Sequence, residues 1–192
     1  MAVVATCIGA HSPALAQWKR AETRGFVIYS DGDAAVLREN ALQLELFESS
    51  LRYFHNLNPA ERFPGKLHIY MVRRHDGLEA VRPGLHESVA GFYQRTNDGV
   101  YAMAIRERGD NSTLLHEYAH HFMTAAFNET YPSWFVEGFA EYFSTAQLTS
   151  RRVAIGDFNR GRAQWLEHGN WLPIAEIVDK RPWQLGDSNA VA

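Results

Sequence analysis

Several common functional signals are missing from this chain of 192 residues. It contains one cysteine, Cys7, so it can form neither an internal disulfide framework nor a cysteine-ligated zinc site. The net charge is −3 and no basic cluster with interleaved aromatic residues occurs, so there is no electrostatic case for nucleic-acid binding. After the N-terminal segment, no stretch approaches the ~18 consecutive apolar residues of a transmembrane helix. A metal ion, if one binds, needs ligands from His, Glu or Asp.

What the chain does have is an ordinary globular composition. Hydrophobic residues make up 46% and charged residues 21% of the sequence, which argues against global disorder. The length is sufficient for one domain with a core of its own. We therefore expect a single domain over residues 17–192.

Residues 1–16 resemble a secretory signal peptide. The segment is apolar from Ala2 to Ala10, and residues 14–16 have the A-x-A pattern of a cleavage site. We therefore expect a periplasmic or secreted protein, and a mature chain without cysteine suits an oxidising compartment. Because no Lys or Arg precedes the apolar run and His11 interrupts it, the alternative is an apolar tail or short helix of a cytoplasmic protein.

The first part of the chain predicts a strand followed by a long helix. Residues 24–32 read as a short strand that ends on a turn. Asp31 or Asp33 can cap a helix over residues 34–57, which Asn58 and Pro59 end. Apolar residues recur in this helix at helical spacing: Leu37, Leu44, Phe47, Leu51 and Phe54.

The middle of the chain predicts a second strand and a hairpin. Residues 65–74 alternate as a strand does, and residues 75–88 read as a short helix and a loop. Residues 91–105 contain two β-rich runs around Asn97-Asp98-Gly99, which is typical of a tight hairpin turn.

The last part of the chain predicts mainly helices. Residues 109–112 supply a break and an N-cap, and Pro132-Ser133 begins a further helix over residues 134–148. A short strand near 152–155, a helix near 158–168 and a Pro/Trp-rich tail follow. Strands with a long N-terminal helix first and helices later are typical of the α+β class with a small mixed sheet.

The stretch STLLHEYAHHF (112–122) contains the pattern H-E-x-x-H. In a helix, His116 and His120 lie on one face, about 6 Å apart along the axis, because the helix rises 1.5 Å per residue. Two imidazoles at this spacing can bind one cation, and Glu117 can reach a water on that cation. The pattern predicts either a water-activating metal site or a helix that carries these residues without metal.

The following helix offers a third ligand. A catalytic zinc ion needs three protein ligands and one open position. Glu137 lies among apolar residues, where an unpaired carboxylate is costly, and Gly138 and Ala140 are small enough for close helix approach. Glu141, one turn later, is expected to accept the outer N–H of a ligand histidine. The alternative is a pair of exposed helix carboxylates.

Together these motifs resemble the gluzincin metallopeptidases, above all the aminopeptidase N-like family. WFVEGFA (134–140) agrees with that family's W-L-N-E-G-F-A at five of seven positions, and the resemblance covers about 112–147. It implies a zincin-like catalytic domain, zinc as the cofactor and a peptide or protein as the substrate. The implied roles are zinc ligands for His116, His120 and Glu137, general base for Glu117, and supporting acid for Glu141.

The chain also departs from that family. Its amine-recognition stretch G-x-M-E-N is absent, and no tyrosine follows Tyr142 to stabilise an oxyanion. Sixteen residues separate His120 from Glu137, a shorter connection than usual, and the helical C-terminal part of the family is expected to be lacking. A second hypothesis is therefore a zinc-bound gluzincin-like domain without peptidase activity, acting as a binding or structural module.

Three side chains are candidates for the oxyanion role, although each is of a type that usually lies on the surface: Arg160, Arg162 and His168. His121 points 100° away from His120 and is expected to pack or to support the site. Residues 100–105, if they form a sheet edge, could pair with an extended peptide, and an interior hairpin strand is the alternative.

Overall fold

The structure of this chain is a computed structural model that describes residues 18–97, 99–106, 111–149, 151–157, 172–180 and 184. The predicted signal peptide (1–16) and the predicted helix near 158–168 lie outside the described residues, as do the three candidates for the oxyanion role.

Within the described ranges, the chain forms seven strands and five helices. The strands are β1 (Lys19–Glu22), β2 (Phe26–Ser30), β3 (Leu67–Val72), β4 (Gly91–Thr96), β5 (Gly99–Ile105), β6 (Gln147–Leu148) and β7 (Val153–Ala154). The helices are α1 (Ala34–Phe54), α2 (His75–Glu79), α3 (Ser112–Ala126), α4 (Ser133–Ser144) and α5 (Ile174–Asp179).

Five strands form one mixed sheet in the order β1-β2-β3-β5-β4. The central strands β2, β3 and β5 are parallel, whereas β1 and β4 pair antiparallel at the two edges. This sheet and its helices confirm the predicted α+β class. Residues 100–105 lie in β5, between β3 and β4, so the interpretation of this stretch as a sheet edge is wrong. The edge strand next to it is β4.

The main core lies between one face of the sheet and the helices α1 and α3. On β3, the alternating side chains of Leu67, Ile69 and Met71 are buried in this core, as their spacing predicts. From α3, Tyr118 and Phe122 enter the same core. The opposite face of the sheet carries a smaller cluster under α2: Val72, Leu78, Phe92 and Met103.

Helix α1 begins and ends close to where the sequence predicts. Asp33 is the N-cap, and its Oδ1 accepts a hydrogen bond of 2.7 Å from the N–H of Ala35. The helix ends at Phe54, and Asn56 adopts a left-handed φ of 57° just beyond it. Phe54 is 52% exposed although it shares the spacing of the core residues, because it lies in the last turn.

Three elements differ from the prediction. The helix expected over 134–148 ends at Ser144, because residues 147–148 pair antiparallel with residues 153–154. Strand β1 was not predicted, since its sequence KRAE has little β-propensity and pairing with β2 supplies its hydrogen bonds. Helix α5 lies in the tail, where no helix was predicted.

None of the described helices combines the length and the apolar character that crossing a membrane requires.

Candidate metal centre

Helix α3 places two imidazoles side by side. His116 and His120 lie one turn apart, with their Nε2 atoms 3.1 Å from each other and their rings nearly perpendicular. The apolar side chains of Leu115, Tyr118 and Phe122 fix the other faces of the helix in the core. The two histidines therefore point together toward α4, as the H-E-x-x-H spacing predicts.

Helix α4 brings a carboxylate to the same point. The Oε2 atom of Glu137 lies 3.4 Å from Nε2 of His116 and 3.5 Å from Nε2 of His120. Within the described part of the chain, the side chains of His116, His120 and Glu137 form a group, the triad, whose potential ligand atoms all lie within 4.8 Å of one another. Glu137 thus meets two histidines that precede it on the chain by 17 and 21 positions.

The three atoms fit a zinc ion by distance and by chemistry. Bonds of 2.0–2.1 Å in a tetrahedral site place neighbouring ligand atoms about 3.3 Å apart. The observed separations of 3.1, 3.4 and 3.5 Å lie on both sides of that value. Two nitrogens and one carboxylate oxygen also leave one tetrahedral position open, which is the ligand set of catalytic rather than structural zinc sites.

Glu141 lies behind the first histidine. Its Oε2 is 3.5 Å from Nδ1 of His116, and both atoms are fully buried. His116 therefore faces a carboxylate on each ring nitrogen, Glu137 on Nε2 and Glu141 on Nδ1. A carboxylate on the outer nitrogen favours the tautomer that keeps Nε2 free for a metal ion.

The carboxylates dominate the electrostatics of the site. Burial by itself lowers the pKa of His116, but the nearby carboxylates of Glu137, Glu141 and Glu117 outweigh it and raise this pKa to about 9. Burial likewise favours the protonated form of Glu137, yet His116 and His120 hold its pKa well below the usual range. Without a cation, a proton therefore stays among these groups at neutral pH, and a metal ion has to displace it.

Glu117 occupies a different side of α3. Glu117 is only 7% exposed, and burial raises its pKa more than the nearby His116 and His120 lower it. The backbone of Tyr93 on β4 is close enough to oppose the effect of burial on this pKa. A buried carboxylate beside the triad, with a raised pKa, is a suitable proton acceptor.

The close approach between β4 and α3 depends on a glycine. A Cβ atom on Gly91 would lie 2.8 Å from the carbonyl oxygen of Met103, 2.9 Å from Thr113 and 3.1 Å from Cγ of Glu117. A side chain at position 91 would therefore push against the helix at Glu117. Sequence reasoning did not identify Gly91 or Tyr93 as site residues, and the available signal was a glycine at the start of a strand, which often marks close backbone approach.

The packing of α3 against α4 differs in detail from the expectation. Ala140 is fully buried between the helices, as expected from its size. Gly138 is exposed, and a Cβ atom there would meet no heavy atom of the described residues within 4 Å, so its small size is not needed for packing. Phe139 and Phe143 supply the apolar contact instead.

Glu137 is less enclosed than its apolar sequence neighbours indicate. Its side chain is 57% exposed, and the neighbouring Trp134 and Phe135 are also exposed. The cost of burying a carboxylate therefore does not explain its contacts with the histidines. Those contacts follow from the packing of α3 against α4, which brings the exposed Glu137 to the two histidines.

His121 packs away from the triad, as its position on the helix predicts. Its ring contacts Phe63, Tyr93 and Tyr118, and its Nδ1 lies 3.4 Å from the hydroxyl of Tyr93. Burial lowers the pKa of His121 to about 4, so its ring is neutral at physiological pH.

Comparison of the sequence with protein-family models and with curated proteins finds no match.

Proposed function

We propose that this chain is a zinc-dependent metallopeptidase. One observation carries the proposal. The ligand atoms of the triad, His116, His120 and Glu137, are separated by distances that suit tetrahedral zinc, and the buried carboxylate of Glu117 is next to them. The resemblance to gluzincins in residues 112–147 supports the same reading. Peptide hydrolysis is preferred because the chemistry of these groups matches water addition to a carbonyl.

A zinc ion held by the triad would lower the pKa of a coordinated water and polarise the carbonyl of a peptide bond. Glu117 accepts a proton from the attacking water as the new C–O bond forms. The same carboxyl group then returns that proton to the amine nitrogen as the C–N bond breaks. Glu141 keeps the His116 ring in the orientation that the triad requires.

The position of β4 supports an extended peptide as the substrate. Among the described strands, β4 lies at the edge of the sheet beside α3, and an edge strand can pair with an added strand. We expect the peptide to lie along β4 rather than along residues 100–105, because β5 is already paired on both sides.

The first test compares wild type with Glu117→Gln. The variant is expected to keep about one zinc ion per chain, since Glu117 is not a ligand in this arrangement. Its hydrolysis of a mixed peptide library is expected to fall by about 10²- to 10⁴-fold, the usual contribution of a general base. Metal content is measured by elemental analysis and cleavage by mass spectrometry.

The matched control is Glu39→Gln, the same substitution at an exposed position of α1. It is expected to leave zinc content and cleavage unchanged. Equal cleavage by wild type and Glu117→Gln would contradict the mechanism. Stoichiometric zinc without cleavage of any peptide would favour the binding or structural module, and a purified chain without zinc would favour a metal-free domain.

A further inference from the structure

Helix α3 presents two stripes of polar residues to two different neighbours. His116 and His120 face α4, whereas Glu117 and His121, each one position later, face the edge strand β4. The first stripe forms the metal triad. The second stripe is joined to β4 by contacts that the proposed reaction does not by itself require.

The pairing of β4 with β5 determines which of its backbone groups point outward. The N–H of Ile105 donates to the carbonyl of Ala90, so this antiparallel pair is hydrogen-bonded. Hydrogen-bonded and non-hydrogen-bonded pairs alternate along an antiparallel ladder. In the register of β4 and β5, the backbone N–H of Phe92 therefore points toward β5. The backbone N–H groups of Tyr93 and Arg95 point to the outer edge.

The side chain of Glu117 lies next to the outward N–H of Tyr93. A Cβ atom on Gly91 would be 3.1 Å from Cγ of Glu117, so the glycine lets this side chain come close to the strand, and the backbone of Tyr93 acts on the pKa of Glu117. An exposed edge N–H normally bonds water or an added strand. Here the carboxylate of the neighbouring helix is in a position to take that place.

The phenol of Tyr93 makes a second connection to the same stripe. Its oxygen lies 3.4 Å from Nδ1 of His121, and the two ring centroids are 5.6 Å apart. Tyr93 thus lies along about one turn of α3, from Glu117 to His121. A residue that contacts a helix at two points can fix the register between strand and helix.

We propose that Tyr93 is a positioning residue for Glu117. Its backbone N–H holds the carboxylate, and its phenol holds β4 against α3, so that the carboxylate keeps one orientation beside the metal triad. The kinetic consequence rests on the proposed peptidase function, whereas the contact itself does not.

Amide hydrogen exchange of the full chain, followed by NMR, tests the contact without relying on activity. In wild type, the protection factor of the Tyr93 amide is expected to exceed that of Arg95, on the same outer edge, by at least about tenfold, as a hydrogen bond of about 1.4 kcal/mol implies. Glu117→Ala removes the acceptor and is expected to abolish this difference. Glu117→Gln keeps an acceptor oxygen and is expected to retain most of it.

The Phe92 amide, which faces β5, is the internal reference and should stay slow in all three proteins. Equal protection of Tyr93 and Arg95 in wild type would overturn the proposal. So would a Tyr93 amide that stays slow in Glu117→Ala.

Kinetics on a cleaved peptide test the phenol. Tyr93→Phe is expected to lower kcat by about tenfold, less than the ~100-fold cost of a 1 Å misplacement, with KM and zinc content unchanged. The matched control is Tyr101→Phe, whose phenol bonds Gln94 on the opposite face of the sheet. Equal losses in both variants, or an effect on KM alone, would overturn the role of the phenol. If no protein cleaves any peptide, the proposed function fails and the exchange experiment alone decides the contact.

Discussion

His116 differs from His120 in having a carboxylate on each ring nitrogen. Glu137 lies at Nε2 and is largely exposed, whereas Glu141 lies at Nδ1 with both contacting atoms buried. A buried partner is not readily replaced by bulk water. We therefore expect the contact of Glu141 with Nδ1 to control the orientation of the His116 ring more strictly than the contact of Glu137 does.

Glu141→Gln tests this difference at the residue scale. The amide can still contact Nδ1 but loses the negative charge, so we expect the zinc dissociation constant to rise by about 10- to 100-fold, as for other residues that orient a ligand histidine. Competition with a chromophoric chelator measures the constant. Glu137→Gln, which changes a ligand, should weaken binding further, and an unchanged constant in Glu141→Gln would contradict the orienting role.

The residues of the triad could be predicted because they follow local rules. His116 and His120 lie four positions apart on a helix, and Glu137 and Glu141 repeat that spacing on the next one. The contacts of Gly91 and Tyr93 with α3 were not predicted, because they depend on which strand becomes the edge of the sheet, and pairing between distant segments decides that.

At the scale of elements, the site depends on how α1, α3 and α4 meet. His55, directly after α1, is surrounded by four phenylalanines at ring-centroid distances of 5.2–5.7 Å: Phe122, Phe127, Phe139 and Phe143. Its Nε2 is buried and has no hydrogen-bond partner among the described residues. Burial therefore lowers the pKa of His55 below its usual 6.5.

We expect the packing around His55 to lose stability at acid pH. The unfolded chain binds a proton at His55 more readily than the folded chain, so the stability that depends on neutral His55 is present above pH 6.5 and is lost as the pH falls below it. Urea unfolding between pH 7.5 and 5 should show a smaller decrease in the free energy of unfolding for His55→Leu than for wild type. His68→Gln, on an exposed strand position, should follow wild type, and parallel curves for all three proteins would contradict the prediction.

The ends of the helices and strands show where local sequence patterns are no longer sufficient to predict the structure. Helix α1 agrees with the prediction at its start because Asp33 is a cap within the segment itself. Helix α4 ends earlier than predicted, because residues 147–148 instead pair with residues 153–154, and no local propensity specifies that pairing. Strand β1 exists for the same reason, through its partner β2.

At the scale of the whole molecule, the site is assembled from separate elements on one side of the sheet. Helix α3 supplies His116 and His120, α4 supplies Glu137, and β4 lies beside Glu117 on another side of α3. Because α3 is buried in the main core, the arrangement of the site is coupled to the folding of the domain. A metal ion that joins α3 to α4 should therefore stabilise the folded chain as a whole.

Metal removal tests this coupling. At a free zinc concentration 100 times the dissociation constant, the free energy of unfolding should increase by about 2.7 kcal/mol relative to the chelated protein. Thermal and urea unfolding with buffered zinc measure the change. His120→Ala loses a ligand and should show little response, and an equal response of wild type and His120→Ala would place the binding elsewhere.

The sequence by itself determined the class of the fold, the long helix, the hairpin and the groups able to bind a metal ion. Those features depend on periodicity, caps and turns, which act over a few residues. Only the tertiary structure decided that β4 is the edge of the described sheet, that Glu137 is largely exposed, and that Glu117 lies close to β4. Each of these depends on contacts between segments far apart in the chain, where packing of the sheet against α3 and α4 selects one arrangement among many that local propensity allows.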